Sequence, residues 1–433
     1  MISGAVFERQ QRKSSKMSAI LWRGALIAGL TFAAFTEPAA AQEPAVVSLD
    51  EALDRSGVTD GSAFSDSNPR LIGPRAETEA AQALIGQARL RPNPQVSLEA
   101  EDFAGSGAFS GLRATQITLS VGQQLELGGK RGARIAAAEA QADLATLRAN
   151  LSQAELGFVV RERYIAAVAA VSRLDLARDI VARNEELARI ANLLVEVGRE
   201  PPLRALRAQA ALAEAQAELQ AAQAASLAAR TGLAALWSEQ AAPPVVPSEF
   251  PTIAPPDQIM ATSAPLQLEF ARANTAAASA EIARERSLRI PDPTISAGVR
   301  RFEESNANAF VVGVSIPLPF SNRNQGNIAS AEANLRAATA REAVALADYE
   351  LAVARARAAY LAAEARVETL SATSLPQAEE ALRLVRIGYS NGRFPLIEVL
   401  AAADARDAIR EALIAAQQDR GQAAAELIRL AAQ

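Results

Sequence analysis

Val311–Ala333, VVGVSIPLPFSNRNQGNIASAEA, opens as a strand and closes as a helix. Phe310, Val312, Val314, Ile316, Leu318 and Phe320 alternate with smaller residues, which predicts a strand over 309–320 with one apolar face. A polar turn follows, and an alanine-rich helix then runs from about Asn327 to Ile387 with no evident stop. Thr115–Ala140, TQITLSVGQQLELGGKRGARIAAAEA, repeats the plan. There Ile117, Leu119, Val121, Leu125 and Leu127 alternate, and a Gly-Gly-Lys-Arg-Gly turn leads into a second long helix.

Working outward, each strand has an upstream partner. Val96, Leu98 and Ala100 alternate with Ser97, Glu99 and Glu101, which predicts a strand over 95–103, a polar hairpin loop over 104–111 and a return strand over 113–127. In the second half the expectation is a strand over 294–301 and a loop over 303–308. The helix ahead of each first strand is stopped by proline: Arg91-Pro92-Asn93-Pro94 after one starting at Pro69, and Ile290-Pro291-Asp292-Pro293 after one starting at Leu266. The first long helix spans about 133–197, with Leu187, Ile190, Leu194 and Val197 at coiled-coil spacing. Sixty-odd residues at about 1.5 Å each reach on the order of 100 Å, far more than a globular domain needs.

Gly198-Arg199-Glu200-Pro201-Pro202 breaks that helix, and a second, over 203–237, is expected to run back antiparallel. Gly392-Arg393-Phe394-Pro395-Leu396 matches Gly198-Arg199-Glu200-Pro201-Pro202-Leu203 with one residue fewer and opens a last helix over 396–432. Upstream, Ser48 and Glu51 fit a capping box, and residues 57–68 read as loop. Breaks, strands and turns recur in the same order, so the chain is an internal duplication. The expected organisation is a first repeat over 42–240, a proline-rich connector over 241–256 and a second repeat over 257–433.

Composition narrows the chemistry. Half of the 433 residues are hydrophobic but only 4% are aromatic, which suits thin, closely packed helices rather than several thick cores. The net charge of −5 is spread out, so no nucleic-acid footprint shows. With no His and no Cys, most metal sites, thiol chemistry, histidine acid–base catalysis and a lipid-anchored N-terminus are all removed. GGKR at 128–131 lacks the first spaced Gly and the Ser/Thr of a phosphate loop, and the glycines at 105, 107 and 111 sit in a hairpin. No cofactor site, metal site or catalytic constellation is expected. Arg12, Lys13, Lys16 and Arg23, a short apolar run from Gly24 to Phe35, and Ala39-Ala40-Ala41 read as a secretory signal over 1–41, with Met17 as an alternative start.

Four alternating strands suit a membrane barrel but cannot close one, and open edges are not tolerated in a bilayer. Three chains would supply twelve strands. Here the residues resemble the TolC family of outer-membrane efflux ducts across nearly all of the chain after the signal. SLDEAL at 48–53, VGVSIPLPF at 312–320, and Tyr389-Ser-Asn-Gly392 leading to Leu396-Ile-Glu-Val-Leu400 carry the resemblance, with the duplication itself. GRFPLIEVL and the Gly-Gly-Lys-Arg turn look most like the heavy-metal (CzcC-like) branch.

The resemblance implies a mainly α fold with a small β part: a periplasmic α-barrel of long antiparallel helices and a twelve-stranded outer-membrane β-barrel in a homotrimer. It implies a periplasmic adaptor and a proton-driven inner-membrane (RND-type) pump as partners, no nucleic acid, and a passive conduit for metal cations. A duct for drugs or for protein secretion, or a soluble periplasmic scaffold, remains the alternative. By position, Gly198, Tyr389 and Gly392 belong to the gated periplasmic tips, with Glu398 six residues past Gly392 and Arg204 matching it in the first copy. Three copies of Glu398 would form a carboxylate ring, and a Glu398–Arg204 tether could hold the tip closed; the competing reading is two solvated surface charges. Ala401 stands where a second acidic gate residue is expected. Glu99, Glu101 and Asp102 are read either as lumen charges favouring cations or as ordinary inward polar positions.

Overall fold

The computed structural model describes residues 46–58, 68–237, 242–256 and 264–432. The proposed signal over 1–41 and most of the 57–68 loop lie outside these residues. In chain order the elements are α1 (Leu49–Arg55), α2 (Pro69–Ala88), β1 (Gln95–Glu101), β2 (Gln116–Gln124), α3 (Lys130–Glu196), α4 (Pro202–Ala234), α5 (Leu266–Ser287), β3 (Thr294–Phe302), β4 (Ala307–Ser315), α6 (Gln325–Thr369), α7 (Leu375–Ser390) and α8 (Leu396–Leu430).

The strands form one antiparallel sheet in the order β1-β2-β3-β4, so the β2–β3 ladder joins the two copies. Its register sets Val96, Val121, Ala297 and Val312 in one row and Leu98, Leu119, Val299 and Phe310 in the next, all on one face. That face is bare: Phe310 is 90% exposed. The opposite face carries Ser97, Ser120, Glu99, Thr118, Arg300, Glu101 and Gln116. The expected strands at 113–127 and 309–320 are shorter in the structure. β3 begins at Thr294, opposite Ser315, so residues beyond 315 have no partner, and Pro317 and Pro319 lack the amide a ladder needs. At the other end the 303–308 loop tightens to a turn with Asn306 at φ 51°.

Two helix readings also change. α2 ends at Ala88, three residues short of Arg91, because Arg89 and Leu90 close a last tight turn on Ile85, Gly86 and Gln87. The second long helix is not continuous: Leu370–Ser374 widens into a π-helical turn, with the Leu375 amide bonding Leu370 O. Pro376 explains this. Its ring has no N–H and would press on the carbonyl four residues back, and a wider turn relieves both. The capping box is half made: Ser48 Oγ accepts from the Glu51 amide at 3.2 Å, while the Glu51 carboxylate pairs with Arg55.

α3 is the central strut, packed by α2, α4, α5 and α8. Its middle third carries the main core, where Leu156, Val160, Tyr164 and Val168 meet Val47, Leu53, Leu71, Leu233 and Trp237. Tyr164 donates to Val47 O at 3.1 Å, and burial, with Asp50 and Glu51 nearby, pushes its hydroxyl up to about 12. Asn68 ties the same region together through Ser56 O and Leu236 O. Elsewhere the seams are thin, with Ala188, Ala191 and Ala208 closing α3 on α4.

Candidate functional site

Both helix tips are built alike. α3 ends with Gly198 at φ 69°; its amide bonds Val195 O at 3.0 Å and the Arg199 amide bonds Leu194 O at 2.9 Å. At the second tip Gly392 has φ 68°, its amide bonds Tyr389 O at 3.0 Å and the Arg393 amide bonds Gly388 O at 2.8 Å. This double bond pattern closes a helix through a left-handed residue, where glycine avoids the Cβ penalty. Pro201 and Pro395, each three residues on, cap the return helices. The breaks therefore match residue for residue, which corrects the expected one-residue difference: Pro202 and Leu396 are each the first residue of a helix.

That alignment makes Arg204 and Glu398 structural equivalents, and their amides bond Pro201 O and Pro395 O respectively. Within one chain their side chains do not meet. Arg204 pairs with Glu200 in the turn just before its helix, and no described residue forms an ion pair with the Glu398 carboxylate. Tyr389 is half-buried against Leu187, Leu382, Leu396, Val399 and Ala403. The tip also holds a contact the sequence reading missed: the Phe394 ring packs so closely on Gly388 that an added Cβ would clash with it.

Above the tips, α3 and α8 are laced by charges far apart in sequence. Arg173 bonds Glu411 at 2.8 Å, Asp179 bonds Arg410 at 2.8 Å, and Arg183 pairs with Asp407, which Arg406 also holds at 2.6 Å. Arg183 and Asp407 are nearly buried, so each needs the other. Nothing local in the sequence marks these pairs.

On the polar sheet face, Glu99 and Glu101 stand on β1, and Asp102 beyond it accepts from Gln116 at 2.7 Å. The sequence reading overlooked Arg300. It reaches across β2 to Glu101 at 3.1 Å and bonds Thr118 at 2.9 Å and Gln116 at 3.2 Å. One of the three acidic charges is thereby offset. At the base of the sheet, Lys130 opens α3 and bonds Asp292 at 2.6 Å, with both side chains about nine-tenths buried. Asp292 also accepts from the Leu127 amide at 2.9 Å and Gln124 at 3.0 Å. Burial works to raise the Asp292 carboxyl, but these three donors hold it below the usual carboxylate range.

Among the described residues no helix is long and apolar enough to cross a membrane, and no group of three Asp or Glu side chains is placed to hold a metal ion. What the arrangement offers is a bare apolar sheet face backed by a polar one, on helices of on the order of 100 Å.

Comparison with known proteins gives one answer. The family described as outer membrane efflux protein matches residues 62–239 and 261–433. The cobalt-zinc-cadmium resistance protein CzcC of Cupriavidus metallidurans is 34% identical over 358 residues, covering 78% of this chain and 80% of that protein. The Campylobacter jejuni CmeC outer membrane channel superposes with a TM-score of 0.74 at 13% identity, over 89% of this chain and 85% of that one. CusC does so with a TM-score of 0.71 at 17% identity, over 90% and 92%. The chain belongs to the outer membrane efflux protein family: it is an efflux channel component, with its strands in the outer membrane and its helices in the periplasm.

Proposed function

We propose, with membership of that family as the premise, that the chain is the outer-membrane duct for heavy-metal cations. It assembles as a homotrimer and works with a periplasmic adaptor and a proton-driven inner-membrane pump. The observation that carries the cargo is the 34% identity to a cobalt-zinc-cadmium resistance protein over four-fifths of that protein. Residues 1–41 are the export signal, and 42–240 and 257–433 are the two repeats.

The chemistry suits passage rather than retention. A chain with no His, no Cys and three Met offers a borderline or soft divalent cation few ligands of its preferred kind. The ion meets oxygen donors and fixed charge only, and moves on. In this reading the polar sheet face lines the lumen, where Glu99 and Asp102 favour cations and Arg300 moderates them. Selectivity among metals then belongs to the pump.

The paired tips are the periplasmic gate. Gly198 and Gly392 let two helix pairs turn in the fewest residues, and Tyr389 packs the second pair against α3. Arg204 is occupied by Glu200, so Glu398 stays available: three copies around an axis form a carboxylate ring that draws cations in and resists closure by mutual repulsion.

Growth of a deletion strain on zinc, cobalt, cadmium and nickel, beside drugs and detergents, tests this. Sensitivity confined to metals, restored by the gene in trans, is expected. Sensitivity to organic compounds alone would overturn the cargo while leaving the duct.

A further inference from the structure

The sheet has two bare edges, β1 and β4, and the duplication dictates how they meet. β1 and β3 begin at equivalent points, Gln95 after Pro94 and Thr294 after Pro293. Gln95 faces Gly122 and Thr294 faces Ser315, so Gly122 and Ser315 are equivalent. The same alignment lays Ile117, Leu119, Val121, Leu125 and Leu127 on Phe310, Val312, Val314, Leu318 and Phe320, apolar on apolar throughout. The β2–β3 ladder, which joins the end of one copy to the start of the other, puts Gly122 opposite Ser296. Replacing each residue by its equivalent puts Ser315 opposite Ser97.

We infer that the free edge of β4 pairs antiparallel with β1 of a second copy of this chain in that one register: Ser315 opposite Ser97, Val314 opposite Leu98, Val312 opposite Ala100 and Ile316 opposite Val96 of the neighbouring copy. The inference rests on the homotrimeric reading above and adds which residues meet.

Two independent features agree with it. The first is facing. Each of these four pairs puts apolar with apolar or polar with polar, and a slip by one residue would turn the neighbour's apolar row into the polar face. The second is the donors. The Leu125 amide bonds Pro293 O at 2.9 Å and the Glu303 amide bonds Thr115 O at 3.0 Å, so odd-numbered residues of β2 address β3. Their equivalents in the second copy are even-numbered, and Val312, Val314, Ile316 and Leu318 therefore address the open edge. Pro317 and Pro319 fall on the other parity, toward β3, whose first residue, Thr294, already faces Ser315. The prolines usually blunt a strand edge; here they take no donor from it. The edge stays competent over Val311–Leu318, and Ile316 and Leu318, left unpaired within the chain, gain a partner or flank one.

Ser315 and Ser97 would form a non-hydrogen-bonded pair, the closer kind, with geometry that accepts a disulfide. The natural chain has no cysteine, so introduced ones report without background. The test compares S97C/S315C with Q95C/S315C and E99C/S315C in outer membranes under mild oxidant. A reducible ladder of linked chains on denaturing gels is expected from S97C/S315C, about tenfold above either shifted pair. Stronger linking with position 95 or 99 overturns the register and leaves the self-assembly intact. Absence of linking in all three, with the detergent-solubilised protein still trimeric by light scattering, overturns the β4–β1 junction. A monomer by light scattering overturns the trimeric reading itself.

Discussion

Replacing Asp292 by Asn tests what holds the first long helix to the sheet. Lys130 is the first residue of α3, where the helix dipole repels a cation, and its side chain is nearly buried. Asp292, contributed by the turn before β3, supplies the opposite charge at 2.6 Å. D292N keeps the shape but leaves Lys130 buried and unpaired, a change worth about 3 kcal/mol. For a 433-residue chain that is on the order of 4 °C in Tm, read by loss of helical circular dichroism on heating in detergent. The equivalent turn of the first copy carries Asn93 rather than an acid, so this position accepts a neutral amide. K130Q/D292N should therefore recover to within about 1 kcal/mol of the parent, since it removes both charges together.

The pH dependence has a definite sign. Asp292 titrates below its ordinary value, so its contribution is present above the unfolded value of about 3.9 and is lost as pH falls through the lower folded one. The gap between D292N and the parent should be flat from about pH 5 to 8 and shrink in stronger acid. Equal melting points, or a double variant no better than D292N, would refute the reasoning.

Two further outcomes are expected. G388A should raise hydrogen exchange across the second tip more than G392A: the first drives a Cβ into the Phe394 ring, whereas the second meets open space and costs only the roughly 1–2 kcal/mol of a left-handed alanine. The reverse order would show that Phe394 does not brace the tip. In planar bilayers R300A and E398A should shift the reversal potential in opposite directions, R300A raising cation preference by about twofold and E398A lowering both cation preference and conductance. Shifts of the same sign would remove one of the two from the conduction path, and an unchanged conductance in E398A would remove the gate role.

Local period explains why so much was legible. Alternation over Val96–Ala100 and Phe310–Val314 is a backbone property visible in any window of five residues, and the Gly-x-x-Pro breaks are stop and start signals in one. Strand ends were overread because apolar alternation continues through Ile316–Phe320 after the partner strand has stopped, and pairing is not a local property. The π turn had a local cause in Pro376, which the reading passed over. Arg300 and the α3–α8 ion pairs had none: Arg183 and Asp407 meet across more than half of the chain, and only packing selects that arginine from the many in the sequence.

By itself, then, the sequence determined a duplicated chain of strand pairs and very long helices, because periodicity, proline stops and left-handed glycines act over a few residues. The tertiary structure decided which strands are neighbours, which charges are answered, and which edge is left open. Those depend on where segments hundreds of residues apart come to lie, and the energies of desolvating a charge or orphaning an amide exist only once that neighbourhood has formed.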